Sequence, residues 1–231
     1  MNVWQRIRRG SPVTVGLIII NVLVFLWMLF EFGIQGISLA SPFSVQSLDQ
    51  SGALSGTAVQ AGEWWRLITP MFIHVTFEHI ALNMITLYFL GRYVEMTFGH
   101  WRTLVIYLVS GFTGNVWSMF FHPEGLSAGA STAIFGLFGA FIALDVIEQN
   151  NPAIHAIARQ FSILVVVNLV FDIFAVGIDI WGHIGGLIGG IAVAFLLSVP
   201  KRYNNPAVSR WLRLVGLIGV VVANFGLIRL F

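Results

Sequence analysis

Hydrophobic residues along this chain occur in long runs, and the polar residues between them form mostly short connections. A transmembrane helix needs about 20 mainly apolar residues, which runs of this length provide. The pattern predicts seven transmembrane helices, at Pro12–Phe30, Ile68–Gly91, Trp101–Phe121, Ser131–Ile147, Phe161–Ile178, Ile180–Val199 and Trp211–Phe231. The predicted fold class is therefore an all-α polytopic membrane protein.

The composition agrees with this pattern and leaves no room for a separate soluble domain. Of the 231 residues, 57% are hydrophobic and 10% are charged, whereas about a quarter are charged in an ordinary soluble domain. We therefore expect the chain to lie in the lipid bilayer and not to bind nucleic acid. Cysteine does not occur in the sequence, which excludes disulfides, thiolate nucleophiles and cysteine metal sites.

The first apolar run also admits an interpretation as the core of a cleaved signal peptide. It follows Arg6, Arg8 and Arg9, and Ser38-Leu39-Ala40 resembles a small-residue cleavage site. A signal-peptide core has about 7–15 apolar residues and lies close to its cleavage site, whereas this run is longer and more distant. We therefore predict that Pro12–Phe30 remains as a membrane anchor.

The distribution of arginine and lysine predicts the orientation of the helices. Short cytoplasmic loops of membrane proteins carry the excess of basic residues. With the N-terminus in the cytoplasm, all of the 12 basic residues except Arg66 and Arg229 fall on the cytoplasmic side. The C-terminus then lies outside, even-numbered helices run from outside to inside, and the predicted location is the cell membrane.

This orientation brings four polar residues to a similar depth near the outer face. Ser131 begins the fourth predicted helix, His183 lies near the start of the sixth, and His79 and Asn83 lie in the outer half of the second. His79 and Asn83 are four residues apart and therefore share one helix face. Polar groups inside a membrane point to the bundle interior, where they pair with one another or serve a function. A structural hydrogen-bond network and a catalytic site are both compatible with this arrangement.

Small residues predict which helices approach one another. Gly182, Gly186 and Gly190 recur every four residues in the sixth predicted helix, and Gly136 and Ala140 have the same spacing in the fourth. Such faces allow the backbones of membrane helices to come into contact. These glycines are compatible with helix packing alone, but contact along the two faces would also place Ser131 opposite His183.

A serine beside a histidine has a well-defined chemical use. Ser131 is either an N-cap of its helix or a nucleophile whose proton is removed by the His183 imidazole. The developing oxyanion would need donors, for which His79, Asn83 and the Ser131 amide are candidates. No acidic residue occupies an obvious third position, and Phe135, one turn after Ser131, could stack on the His183 ring and orient it. We therefore expect a dyad rather than a triad.

In these motifs and their order, the chain resembles the rhomboid family of intramembrane serine proteases. The resemblance extends from Pro12-Val13-Thr14 to about Val199. It is carried by Glu63-Trp64-Trp65-Arg66, by His74 with His79-Ile80-Ala81-Leu82-Asn83, by Gly129-Ala130-Ser131 and by Gly182-His183-Ile184-Gly185-Gly186. It implies a rhomboid-like six-helix bundle within residues 1–200. A cytoplasmic linker and an extra C-terminal transmembrane helix would then occupy residues 201–231.

The resemblance also implies roles for individual residues. Ser131 would be the nucleophile and His183 the general base. The oxyanion and substrate-stabilising residues would be His79, Asn83 and Gly129, the last in the segment that ends at the Ser131 amide. Supporting positions would be Phe135, Arg66, His74 and Glu95, with Arg66 as a structural arginine and Glu95 as a brace at the cytoplasmic helix ends.

The reaction implied is hydrolysis, without cofactor or metal, of a peptide bond near the outer end of a transmembrane helix. The substrates would be single-pass transmembrane proteins. The segment from Phe171 to Trp181, with two aspartates and a glycine, would be a wet, mobile lid, although a plain turn would look similar. Thr132 departs from the glycine that often follows the serine in this family, and we expect it to narrow or reshape the pocket.

Three alternatives remain open at the level of the sequence. A zinc protease would draw its ligands from His74, Glu78, His79 and His183, but the His-Glu-x-x-His motif is missing. A transporter would explain polar groups and glycines in the membrane, but no internal repeat is visible. An inactive rhomboid-like binding protein would keep the fold, and the presence of both Ser131 and His183 argues against it.

Overall fold

The computed structural model describes residues 10–33, 43–148, 150–175, 177–197 and 206–226. Within these ranges the main helices are α1 (Pro12–Phe32), α2 (Val45–Gln50), α3 (Gly56–Gln60), α4 (Phe77–Thr86), α5 (Arg92–Phe98), α6 (His100–Phe121), α7 (Ser131–Ile147), α8 (Pro152–Phe174), α9 (Ile180–Leu197) and α10 (Pro206–Val221). Four of them, α1, α6, α8 and α9, are long and apolar enough to cross a membrane. The chain is thus an all-α integral membrane protein. The basic residues before Gly10, the Ser38–Ala40 motif, Lys201, Arg202 and Arg229 lie outside the described residues.

The second predicted helix begins later and ends later than the apolar pattern indicates. Two 3₁₀ turns, Trp64–Leu67 and Thr69–Phe72, occupy its expected start. The α-helix begins only at Phe77, where the Thr76 hydroxyl accepts a hydrogen bond from the His79 amide at 2.9 Å. It then continues through a π-helical turn, Leu87–Gly91, into α5, which ends before Gly99 with φ at 86°. The predicted bounds, Ile68–Gly91, are therefore wrong at both ends. A run of apolar residues does not show where the 3₁₀ turn at Pro70 ends and the α-helix begins.

Two further boundaries differ for identifiable reasons. The fifth predicted helix, Phe161–Ile178, corresponds to α8, which begins at Pro152 because Asn151 caps the amides of Ala153 and Ile154. It ends at Phe174 rather than Ile178, so the connection to α9 is longer than the predicted helix bounds imply. The predicted seventh helix corresponds to α10, which begins at Pro206 rather than Trp211.

The helix α7 lies at the centre of the bundle, where 12 of its 17 residues are buried. As the glycine spacing predicts, its backbone touches that of α9. A Cβ added at Gly186 would collide with the Thr132 carbonyl oxygen, and one at Gly190 with the Gly136 carbonyl oxygen. The glycines on these two helix faces thereby allow the first turns of α7 and α9 to come into contact.

The long first connection is folded around a buried arginine. Its two-residue strand β1, Leu54–Ser55, pairs antiparallel with β2, Leu126–Ser127. Arg66 is 7% exposed and donates to the carboxylates of Glu63 and Asp49 and to the Ala53 carbonyl oxygen. These bonds hold the connection together, and the pairing of β1 with β2 joins it to the segment that precedes Ser131.

Glu95 lies at the start of α1. Its buried carboxylate accepts hydrogen bonds from the Val13 and Thr14 amides at 3.0 and 2.8 Å and from the Thr14 hydroxyl at 2.7 Å. His100 Nδ1 contacts the same carboxylate. A negative charge at a helix N-terminus is favourable, because the first amides there have no intrahelical partner. Glu95 therefore ties α5 to α1, far from Ser131.

Candidate active site

Ser131 and His183 meet between the first turns of α7 and α9. The distance from Ser131 Oγ to His183 Nε2 is 2.8 Å. The glycine contacts described above make this approach possible, since a larger residue at Gly186 would push the two helices apart. A serine hydroxyl that donates to an imidazole nitrogen is the arrangement needed to activate the oxygen as a nucleophile.

The loop before Ser131 holds the serine without using it as a cap. The N-cap residue of α7 is Ala130, and no side-chain capping hydrogen bond is present at this helix start. Gly129 has φ at 142°, and its amide donates to the Pro70 carbonyl oxygen at 2.9 Å. The capping alternative for Ser131 is therefore wrong, and its hydroxyl is directed to His183.

The His183 ring is held on one face and at its second nitrogen. Phe135 stacks on it, with 4.2 Å between the ring centroids and 10° between the planes. His183 Nδ1 lies 2.7 Å from Asp172 Oδ2. Both side chains are buried, with 11% and 5% of their surfaces exposed. The expectation that no acidic residue occupies a third position is therefore wrong.

Asp172 was missed because it was assigned to a lid. Since α8 continues to Phe174, Asp172 belongs to its last turn and faces the bundle interior. A signal was present, because an ionisable residue inside an otherwise apolar helix marks a partner in the interior. The predicted helix Phe161–Ile178 already contained Asp172, and only the overlapping assignment to the lid hid this signal.

The second aspartate of the predicted lid is also bonded. Asp179 accepts from the Gly182 amide at 2.9 Å and from the Ser127 hydroxyl at 2.7 Å. Ser127 belongs to β2, so this contact links the start of α9 to the strand that precedes the Ser131 loop. Both aspartates that suggested a wet lid thus have hydrogen-bond partners inside the protein. A lid role for the remaining non-helical residues stays a prediction.

The predicted oxyanion residues lie on the other side of Ser131. The His79 ring packs over Gly129, where an added Cβ would lie 2.9 Å from His79 Nε2 and 3.3 Å from Ser131 Oγ. The Asn83 side chain donates to the His79 carbonyl oxygen at 2.9 Å, one turn along the same helix. The structure therefore places His79 and Gly129 next to Ser131, with Asn83 behind His79.

His74 supports this side of the site. Its ring meets that of His79 edge to face, with centroids 5.1 Å apart. Its Nε2 accepts from the Ala130 amide at 3.5 Å, a long hydrogen bond to the loop that presents Ser131. Arg66 and Glu95 have the structural contacts described above and do not touch Ser131 or His183.

Thr132 packs between helices rather than beside the nucleophile. The residue is 4% exposed. A Cβ added at Gly114 would lie 3.0 Å from the Thr132 Cβ, and a Cβ added at Gly182 would lie 3.0 Å from the Thr132 Cγ2. The side chain therefore fills the space between α6 and α9. The expectation that Thr132 narrows or reshapes the pocket stays a prediction.

The zinc alternative would require at least three ligands close together. Within the described ranges, no three His, Asp or Glu side chains are arranged to hold a metal ion. Glu78 is exposed at the start of α4, whereas His74 is buried. This part of the chain offers no ligand set for that chemistry.

Known proteins resemble this chain over most of its length. A family model described as the Rhomboid domain matches residues 61–200. The chain is 39% identical over 158 residues to "Rhomboid protease GluP" of Bacillus subtilis (strain 168), covering 68% of this chain and 31% of that protein. It is 35% identical over 163 residues to "RHOMBOID-like protein 7" of Arabidopsis thaliana, covering 70% and 52%. "Rhomboid-like protease 3" of Toxoplasma gondii is 33% identical over 145 residues, covering 62% and 55%. The chain thus spans between 31% and 55% of the length of these three relatives.

Proposed function

Because this chain belongs to the rhomboid family, we propose that it is an intramembrane serine endopeptidase with Ser131 as the nucleophile and His183 as the general base. The observation that carries the proposal is the 2.8 Å contact between Ser131 Oγ and His183 Nε2. Relatives named as rhomboid proteases support hydrolysis of peptide bonds as the reaction class.

The proposed reaction uses the two residues in sequence. His183 Nε2 takes the Ser131 proton as the oxygen attacks the scissile carbonyl carbon, and the imidazolium then protonates the leaving amine. Water attacks the acyl-enzyme with His183 again as the base, which regenerates the serine. No cofactor or metal takes part in this scheme.

The oxyanion of each tetrahedral intermediate would be bound by donors around Ser131. The Ser131 amide is among the first N–H groups of α7, which have no intrahelical partner. His79 lies against Gly129. Asn83 gives one amide hydrogen to its own helix, and among the described residues no acceptor takes the second, which can therefore bind an oxygen. Donors fixed before reaction are worth about 3–4 kcal/mol each in barrier height.

The proposed substrates are single-pass transmembrane proteins, cut near the outer ends of their helices. The helix α7 has 17 residues, or about 25 Å at 1.5 Å per residue, which is shorter than the hydrocarbon core. Ser131 would then lie below the membrane surface. We place the protein in the cell membrane with the N-terminus in the cytoplasm and the C-terminus outside, from the basic residues of the sequence.

The proposed catalytic unit is the core within residues 1–200. Residues 201–231 would form a linker and the additional helix. This helix, α10, packs against α9, since a Cβ added at Gly216 would collide with the Ala192 carbonyl oxygen. It does not contribute any of the residues assigned to the site.

Cleavage of a fluorogenic transmembrane substrate by the purified protein tests the proposal, with wild type beside Ser131→Ala and His183→Ala. Loss of a catalytic serine or its histidine lowers kcat by up to about 10⁶ in serine proteases, so we expect both variants to fall to background. Ser162→Ala is the matched control, because within the described part of the chain that hydroxyl donates to the Ala158 carbonyl oxygen of its own helix and has no other partner.

The alternatives predict different results in the same assay. Retained cleavage in Ser131→Ala would overturn the serine mechanism. Loss of activity with a chelator would favour a zinc protease. Wild-type protein without any cleavage would favour the inactive binding protein or a transporter.

A further inference from the structure

We propose that Asp172 is a positioning residue that completes a Ser131–His183–Asp172 triad. The inference rests on the proposed function and goes beyond it, since that function needs only the serine and the histidine. The observation behind it is the 2.7 Å distance between Asp172 Oδ2 and His183 Nδ1.

The contact determines which nitrogen of His183 carries the proton. A neutral imidazole has one N–H and one acceptor nitrogen. A carboxylate only accepts, so Nδ1 must donate to Asp172 and Nε2 is left as the acceptor that faces Ser131 Oγ. The opposite tautomer would leave the serine proton without a base. Asp172 thereby holds the histidine in the one form that can take this proton.

The carboxylate also stabilises the imidazolium that forms when Ser131 attacks. The proton stays on the histidine, and Asp172 does not take it. Asp172 touches neither the substrate nor the serine oxygen, so it acts through His183 alone. Together with the stacked Phe135 ring, it fixes both the in-plane direction and the tilt of the imidazole.

The surroundings of Asp172 indicate that its carboxylate needs a hydrogen-bonding partner. Its side chain is 5% exposed, and it lies in an apolar helix, where a carboxylate without a partner is expensive. Among the described residues, His183 is the side chain that bonds it. The carboxylate of the neighbouring Asp179 is directed elsewhere, to the Gly182 amide and the Ser127 hydroxyl.

The test is steady-state kinetics of Asp172→Asn with the transmembrane substrate. This change keeps the shape of the side chain but allows it to bond the wrong tautomer of the ring. The corresponding change in a serine protease triad lowers kcat about 10⁴-fold. We expect kcat to fall at least about 100-fold, within that range, and KM to stay near its wild-type value. A merely structural aspartate would alter KM or the amount of folded protein instead.

The chain provides a matched control. Asp145 also contacts a histidine through Nδ1, at 3.1 Å from His155, but that histidine side chain is 66% exposed and the pair is remote from Ser131. Asp145→Asn should leave both kcat and KM unchanged. If Asp172→Asn does not fold in detergent, Asp172→Ser removes the same carboxylate with a smaller side chain and gives the same comparison.

The outcomes separate this inference from the function on which it rests. Wild-type activity that depends on Ser131, together with a kcat for Asp172→Asn within about threefold of wild type, would overturn the triad and leave the dyad. A fall in kcat shared equally by Asp145→Asn would also overturn it. Wild-type protein with no cleavage that depends on Ser131 would overturn the proposed function and the triad together.

Discussion

The helices α7 and α8 each supply one group to the Ser131–His183–Asp172 cluster, but they are held in place in different ways. In α7, 12 of 17 residues are buried, and its backbone touches that of α9. In α8, three of 23 residues are buried: Ala158, Val165 and Asp172. Ser131 is therefore positioned by packing along a whole helix, whereas Asp172 is positioned by the end of a helix that faces mainly outward. The comparison shows that a site can combine a rigid nucleophile with an orienting group on a weakly packed element.

The strongest way to break this arrangement is to separate α7 from α9. In Gly186→Ala, the new Cβ would collide with the Thr132 carbonyl oxygen, one residue from Ser131. A shift of about 1 Å in catalytic geometry can cost about 100-fold in rate. We therefore expect kcat/KM to fall by at least that factor, and the thermal midpoint to fall with it.

Gly16→Ala is the control for this change. A Cβ at Gly16 would meet no atom within 4 Å, so activity and thermal midpoint should stay at or slightly above the wild-type values. If Gly186→Ala behaved like Gly16→Ala, the backbone contact between α7 and α9 would not be what holds Ser131 beside His183.

The Ser131–His183 pair could be predicted from the sequence because two independent patterns converge on it. Basic residues set the depth of each helix end, and the repeats of Gly182, Gly186 and Gly190 indicate which helix faces meet. Both patterns are properties of whole helices, so errors of a few residues at the boundaries do not change the result.

The contact between His183 and Asp172 could not be predicted in the same way. It depends on where α8 ends and on how the helix is rotated about its own axis, and a helix that is apolar on all sides carries little information about rotation. Spacing would have favoured Asp179 instead, since it lies four residues before His183. In the structure, Asp179 lies just before α9, where it bonds the Gly182 amide and Ser127. The start of the second span was misjudged for a related reason, because apolarity continues through the 3₁₀ turns that precede Phe77.

A pair of aliphatic truncations sharpens the comparison between the two helices. Leu137 on α7 is fully buried, and Val167 on α8 is 58% exposed. Truncating a buried leucine to alanine removes packing and leaves a cavity, which costs about 2–5 kcal/mol, whereas an exposed change costs about 0.5 kcal/mol or less. Leu137→Ala should lower the free energy of unfolding by the larger amount, measured in detergent by chemical denaturation. Equal effects of Leu137→Ala and Val167→Ala would contradict the difference in packing between α7 and α8.

The smallest effect is expected for a change at Phe135 of α7, whose ring contacts the His183 imidazole. Phe135 stacks on His183 at 4.2 Å, and an aromatic contact of this kind is worth about 0.5–1.5 kcal/mol beyond its buried area. Phe135→Leu keeps an apolar neighbour but removes the flat face, so the ring is held by Asp172 alone. We expect kcat to fall about three- to tenfold, the equivalent of that contact energy, and KM to change little. Phe141→Leu is the control, since Phe141 packs on Phe161 and Tyr93 rather than on Phe135 or His183. Equal kcat values for the two variants would mean that the carboxylate orients the imidazole without help from the stacked ring.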